Sequence, residues 1–323
     1  MKKILFALMA IFVTTFTSYA QITTMSAFEK KVEKVAVEYD VTKNFLGTEN
    51  VESYVGQVLY VNGVHEQLQG YGYDSFNNKK VSHYDSDNRY GNPSVKSPYN
   101  TKYEDLFGKY FKVLNVEKNG TGENYYVFTL QNRDNENDIV YFNYDGKYEH
   151  TFPFIVVSHF EWCKYNLIGK KYFLTYFSRD DKIYGRYTSD TDFVNGESII
   201  HNTNDVWECV DITIESKYYD FVMLLKNKNG NVITYKIEYI DNGKDGEVNI
   251  LTENAYHNLV SKYGVTMVNA MRNHYIKVGM SKDLLIMSWG KPDEINSNSY
   301  GADQWVYGTQ YVYVNNGKVE GWN

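Results

Sequence analysis

The chain has 323 residues and a formal net charge of −7 without any basic cluster, which excludes nucleic-acid recognition by a phosphate-neutralising surface. Tyrosine is abundant at 32 residues and proline scarce at 4, a balance that favours strands. Two cysteines are too few for a disulfide framework, and no histidines stand near them at metal-ligand spacing.

Residues 1–20 read as a secretory signal peptide. Lys2 and Lys3 precede an apolar run from Ile4 to Phe16, and Ser18-Tyr19-Ala20 supplies the small residues a signal peptidase reads. The run is short for a bilayer span, no cysteine stands near the cleavage point for lipid attachment, and no later run approaches membrane length. The expected product starts at Gln21 and carries a charge of −9. It has no integral membrane segment and is exported to the periplasm or outer surface of a Gram-negative bacterium.

Residues 21–44 form an N-terminal segment in which Val32, Val35, Val37, Tyr39 and Val41 suit a leading strand or, as the alternative, a short helix. Beyond it, a short plan recurs in ESYVGQVLYV (52–61), EDLFGKYFKVLNV (104–116) and YNLIGKKYFLTYF (165–177): an apolar residue, Gly, Lys or Gln, then a strand. A longer repeat relates 110–146 to 207–243, each reading as strand, turn, strand, turn, strand. In the second copy Ile233, Tyr235, Ile237 and Tyr239 alternate on one face. Asn229-Gly230 is a hairpin signal with positive φ expected at both positions, and RDNEND at 133–138 is the matching turn. These features predict a mainly β chain of tandem antiparallel modules, small barrels or curled sheets, over 45–102, 103–164 and 165–245. The Tyr-rich polar stretch 64–102 is expected as a long loop or irregular insertion in the first module.

Cys163 and Cys209 each follow a Trp closely. In an oxidising compartment they admit one bridge, closing 46 residues and adding roughly 3–4 kcal/mol. The other reading is two buried thiols acting as small apolar residues.

The pattern changes near 243–250. Tyr256, Leu259, Val260 and Tyr263 are helically spaced before a stop at Gly264, and a second short helix is expected with Met267, Val268, Met271 and Tyr275 inward. Ser281 is a helix N-cap, Trp289 falls on the apolar side, and Gly290 and Pro292 end the helix. Trp305 and Tyr307 then share one strand face, with Val306, Val312, Val314 and Val319 expected opposite, and Asn316-Gly317 turns the last hairpin. The outcome is an α+β module over 250–323, helices packed on a three-stranded sheet.

IKVGMSKDLLIMSWGKPDEIN…GADQWVYGTQYVYVNNGKVEGW resembles the SmpA/OmlA (BamE-like) domain of outer-membrane assembly factors. The residues that carry the likeness are Gly279, Met280, Ser281, Trp289, Gly290, Pro292, Trp305, Tyr307, Tyr311, Tyr313, Gly317, Lys318 and Val319. The resemblance implies helices on a three-stranded sheet, a cell-envelope location and protein contacts without catalysis. It covers about 50 residues of the chain and does not extend to the β-repeat body.

Other chemistry is thin. DNGKDGEVNILT (241–252) imitates a calcium loop, but Gly243 and Thr252 stand where ligands belong, so it reads as an inter-domain turn. The Gly-Lys pairs at 108–109 and 169–170 lack a phosphate-cradling loop, and no nucleophile elbow occurs. His159 and Cys163 are close in sequence, which by itself does not make a catalytic pair. The expected function is therefore an exported, non-catalytic envelope protein that contacts other envelope proteins, with no metal and no cofactor. The alternatives are a glycan-binding protein using exposed Tyr and Trp, and a hydrolase with carboxylates the sequence does not single out.

Overall fold

The computed structural model describes residues 37–81, 86–120, 125–240, 246–299 and 301–323. The chain divides into Met1–Val37 and Glu38–Asn323, and the architecture below is that of Glu38–Asn323. The signal peptide and most of the leading-strand expectation lie outside the described residues; 37–44 are irregular, not a strand.

Alternating burial builds the first sheet. Its strands are β1 (Val58–Val61), β2 (Phe76–Asn77), β3 (Tyr110–Lys118), β4 (Tyr125–Asn132), β5 (Ile139–Asp145) and β6 (Phe154–Val156), in the antiparallel order β2-β5-β4-β3-β1-β6. A short helical turn, α1 (Glu66–Gln69), lies between β1 and β2, and α2 (Val157–Leu167) follows β6 directly. The core against this sheet is aromatic: Tyr54 sits among Tyr39, Phe128, Tyr144 and Phe152 at centroid distances of 5.3–6.1 Å. The Tyr54 hydroxyl donates to the Asn44 carbonyl and accepts from the Leu46 amide, so the ring is buried with its polar end satisfied.

The second sheet repeats the first. β7 (Lys171–Leu174), the separate hairpin β8 (Tyr176–Arg179) and β9 (Lys182–Gly185), then β10 (Trp207–Ile214), β11 (Phe221–Lys226), β12 (Val232–Lys236) and β13 (Ile250–Thr252) follow α2. The order is β12-β11-β10-β7-β13, the order of the first sheet from β5 to β6. β13 runs straight into α3 (Glu253–Tyr263), as β6 runs into α2, and both helices have 11 residues. Burial follows the same pattern along Phe111–Val116 and Trp207–Ile212, and in each a bulge leaves one residue unpaired, Leu114 or Val210, and turns it outward.

The remaining chain is α4 (Val265–Arg272), α5 (Lys282–Trp289) and the strands β14 (Glu294–Asn296), β15 (Asp303–Tyr307), β16 (Gln310–Asn315) and β17 (Lys318–Trp322), in sequential antiparallel order. Thr252 caps α3 by accepting from Ala255 at 3.3 Å, and Ser281 caps α5 by accepting from Leu284 at 3.2 Å.

The chain is mainly β, with 35% strand and 21% helix among antiparallel sheets. Several expectations change. None of the sheets closes into a barrel. The stretches 45–102 and 103–164 share one sheet, because β1 pairs with β3 and β2 with β5. The 64–102 insertion is in part built into the fold: Phe76 and Tyr73 are buried. The C-terminal sheet has four strands, since Glu294–Asn296 adds an edge beside β15. Trp305 pairs with Val312, so Trp305, Val312, Val314 and Val319 share the helix-covered face while Val306 pairs with Tyr311 on the other. Tyr275 is exposed rather than inward. Gly230 has positive φ but Asn229 does not; the Asn227 side chain instead accepts from the amides of Asn229 and Asn231 and organises a longer turn. Asn316 and Gly317 do both take positive φ, as a two-residue hairpin turn requires.

Candidate functional site

The signature residues of 250–323 act together as packing and turn elements. The Met280 side chain is buried beside Leu284, Leu285, Trp305 and Val312 in one apolar cluster. Gly279 donates to the Val319 carbonyl and Val319 to the Met280 carbonyl, both at 2.8 Å, which ties the approach to α5 onto β17. Gly290 ends α5 at φ +78° and presents its carbonyl to the Tyr307 hydroxyl at 3.1 Å. Trp289 meets Tyr307 edge-on with centroids 5.5 Å apart, and its Nε1–H donates to the His274 carbonyl at 3.1 Å. Pro292 follows this stop; Gly317 accepts from Lys282 and completes the last turn. These residues hold a helix on a sheet rather than lining a reactive site. The same module leaves Tyr275, Val278, Ile295 and Trp322 each about half exposed or more.

Cys163 and Cys209 are free, fully buried and in one apolar cluster. Burial pushes both thiols up to about 12. The structure also pairs Cys163 with His159, whose Nε2 lies 3.6 Å from the sulfur and whose Nδ1 is 2.9 Å from the Val41 carbonyl. One helical turn separates the two, a spacing visible in the sequence. A fully buried, protonated thiol is a packing group, not a nucleophile within reach of a substrate.

What sequence reasoning missed is a cleft of about 320 Å³ where the two sheet units meet. The first unit contributes Lys43, Asn62, Glu149, Phe152, Phe154 and His159; the second contributes Tyr219, Asp220, Phe221, Lys236 and Glu238. Lys236 is ion-paired with Asp220 at 2.9 Å. Asn62 bridges the units by donating to the Tyr219 carbonyl at 2.8 Å. Partial burial, and then the charge of Glu238, raise the Glu149 carboxyl above its ordinary range. No local motif marks these residues, because they converge only when the units dock.

Among the described tyrosines of 71–99, Tyr73 is buried and stacked on Tyr103 at 5.6 Å, while Tyr71 and Tyr99 are exposed. Residues 241–245 of the calcium-like loop lie outside the described residues, and Thr252 serves as a helix cap. Among the described residues no helix is long and apolar enough to cross a membrane, and no group of three or more His, Cys, Asp and Glu is arranged to hold a metal. No family model, curated protein or solved structure matches this chain.

Proposed function

We infer that this is an exported, non-catalytic cell-envelope protein that works by contacting other envelope proteins, with 250–323 as the contacting module. The observation that carries the reading is the division of labour within that module. Its signature residues are taken up by packing α5 on the sheet, while Tyr275, Val278, Ile295 and Trp322 remain exposed as apolar surface. The resemblance of 278–322 to the SmpA/OmlA domain supports the envelope compartment, as does the signal-like start. The Lys236–Asp220 ion pair and the sealed His159–Cys163 pair favour binding over catalysis.

Two measurements test it. N-terminal sequencing of protein from the envelope fraction is expected to give Gln21; an intact Met1 overturns the export argument. Photo-crosslinking from position 322 in living cells is expected to trap a discrete envelope protein, with loss of that product when Tyr275 and Val278 are replaced by Ser. Equal trapping from a control position on the first sheet, such as Lys112, counts against the module as the contacting part.

A further inference from the structure

We propose that residues 187–205 form an acid-released cover on β12, with His201 as the group whose protonation lets it go. This is separate from the protein contacts assigned to the C-terminal module. The segment runs from the β8–β9 hairpin to β10 and lies along the outer side of β12. Its ties there are hydrogen bonds. Asp192 Oδ2 accepts from the Val232 amide at 2.9 Å, Ser189 Oγ accepts from the Thr234 amide at 3.1 Å, and the Phe193 amide donates to the Val232 carbonyl at 2.7 Å. Between Arg186 and Val206 the buried residues are Asp192, His201 and Asp205, all ionisable. Phe193, Val194 and Ile200 are exposed, and Tyr187 and Ile199 are only half-buried. A stretch that buries so little apolar surface opens locally before the sheet beneath it does.

His201 is the wedge among these three. Its ring is 4% exposed and stands between Tyr176 of β8 and Trp207 of β10, with centroids 6.2 Å from each. Gly185 at the end of β9 leaves room for it, since a Cβ there would come within 3.1 Å of imidazole Cε1. Both ring nitrogens are buried and make no hydrogen bond among the described residues. Asp190, the Ser189 main chain and Asp205 face the ring from its own segment. From the sheet side come the neutral phenol of Tyr176 and the indole of Trp207, with Arg272 of α4 beyond the Tyr176 ring. Burial outweighs the two carboxylates and lowers the pKa of the ring. A proton on it is stable only when the ring leaves its slot, which takes the 199–205 limb along. The closed cover is therefore favoured above the free histidine value of about 6.5 and released as pH falls below it. Asp192 stays ionised through this window, because the amides of Val232, Val194 and Asn195 outweigh its burial and hold it below the ordinary carboxylate range.

The test is residue-resolved amide hydrogen exchange on residues 21–323 at pH 7.5 and 5.5, corrected for the intrinsic effect of pH. The amides of Val232, Thr234 and Lys236 face the cover, whereas Ile233 and Tyr235 pair with Leu225 and Met223 on β11. Protection of the first three is expected to fall at pH 5.5 by up to about tenfold, while the other two hold. The midpoint of the fall is expected to match the titration of the His201 ring read by NMR. His201→Gln, which cannot take the proton, is expected to remove the pH dependence, and protection of Ile233 and Tyr235 shows in the same data that the variant is folded. His274→Gln, which removes the other histidine whose pKa burial lowers, is expected to leave the pH dependence in place. No fall at Val232, Thr234 and Lys236, a fall shared equally by Ile233 and Tyr235, a midpoint apart from the His201 titration, or a fall that persists in His201→Gln overturns the proposal. None of these results bears on crosslinking at position 322.

Discussion

Arg272 on α4 donates from Nε to the main-chain carbonyl of Leu174 on β7 at 3.0 Å, joining the C-terminal helices to the second sheet. Its Nη2 donates to the Thr203 carbonyl at 2.8 Å and its Nη1 to Asn269 at 3.2 Å. The guanidinium lies among the rings of Phe173, Tyr176 and Tyr256, 5.1–5.6 Å from their centroids. A cation buried this way is held by carbonyl dipoles and ring faces in place of a carboxylate. Arg272→Ala leaves a cavity and two unpaired carbonyls, and is expected to cost on the order of 3–5 kcal/mol in urea denaturation. A loss below about 1 kcal/mol contradicts this account.

The C-terminal module shares its apolar core with the second sheet. Tyr256 of α3 stacks on Phe173 of β7 at 3.8 Å, and Phe173 belongs to the same apolar cluster as Val268, Leu284 and Val312. A fragment of 250–323 is therefore expected to melt well below one of 165–323, or to lack a cooperative transition. Equal melting temperatures by circular dichroism refute the shared core.

Trp289→Ala removes a half-buried ring that contacts Tyr307 and donates to the His274 carbonyl. The expected loss is about 2–3 kcal/mol, smaller than for a fully buried Trp. Trp289→Phe, which keeps the ring contact and loses the donor, is expected to recover roughly half of it.

Two histidines make stability fall on acidification. Burial lowers the pKa of His201, against the opposing pull of Asp190 and Asp205. Burial also lowers His274, helped by Arg186 and opposed by Glu247, whose Oε1 is 3.5 Å from His274 Nδ1. Each folded-state value lies below the unfolded value of about 6.5. Below that pH the unfolded chain takes up protons that the folded chain refuses. The stabilisation is therefore complete above about 6.5 and declines as pH falls toward the folded values. Urea midpoints at pH 7.5 and 5.5 check this, with His201→Gln expected to flatten the slope.

The thiols give a rate prediction. With Cys163 and Cys209 buried and pushed up to about 12, native protein at pH 8 is expected to alkylate about a hundredfold slower than unfolded protein. Two thiols titrated promptly without denaturant contradict their burial.

Much of the local structure was legible in the sequence. The two three-strand meanders followed from period-two patterning, and the α5 cap and stop from Ser281 and Gly290. The recurring Gly of the short repeat has a local meaning: Gly56, Gly108 and Gly169 all take positive φ between a helical turn and a strand. What pairs with what was harder. β1, β6, β7 and β13 have only 3 or 4 residues each, too few for periodicity to show, and their partners are distant in sequence. Assigning Val312 to the face opposite Trp305 failed because facing depends on register, which the Gly308-Thr309 turn sets. The cleft stayed hidden because Glu149 and Glu238 belong to different units.

The excursions from β1 to β3 and from β7 to β10 differ in sequence and length, yet they end in the same place. In the first unit β2 lies along β5, with Asn143 donating to the Ser75 carbonyl. In the second, Ser189 donates to Thr234, Phe193 to Val232 and Lys236 to Tyr187, laying residues 187–193 along β12. Each excursion thus covers the outermost strand of its own meander, where an uncovered row of amides and carbonyls invites pairing between molecules. A Tyr- and Val-rich chain with two such meanders offers two strands open to pairing between molecules, and shortening either excursion is expected to yield protein that folds its sheets and then aggregates through the bared strand.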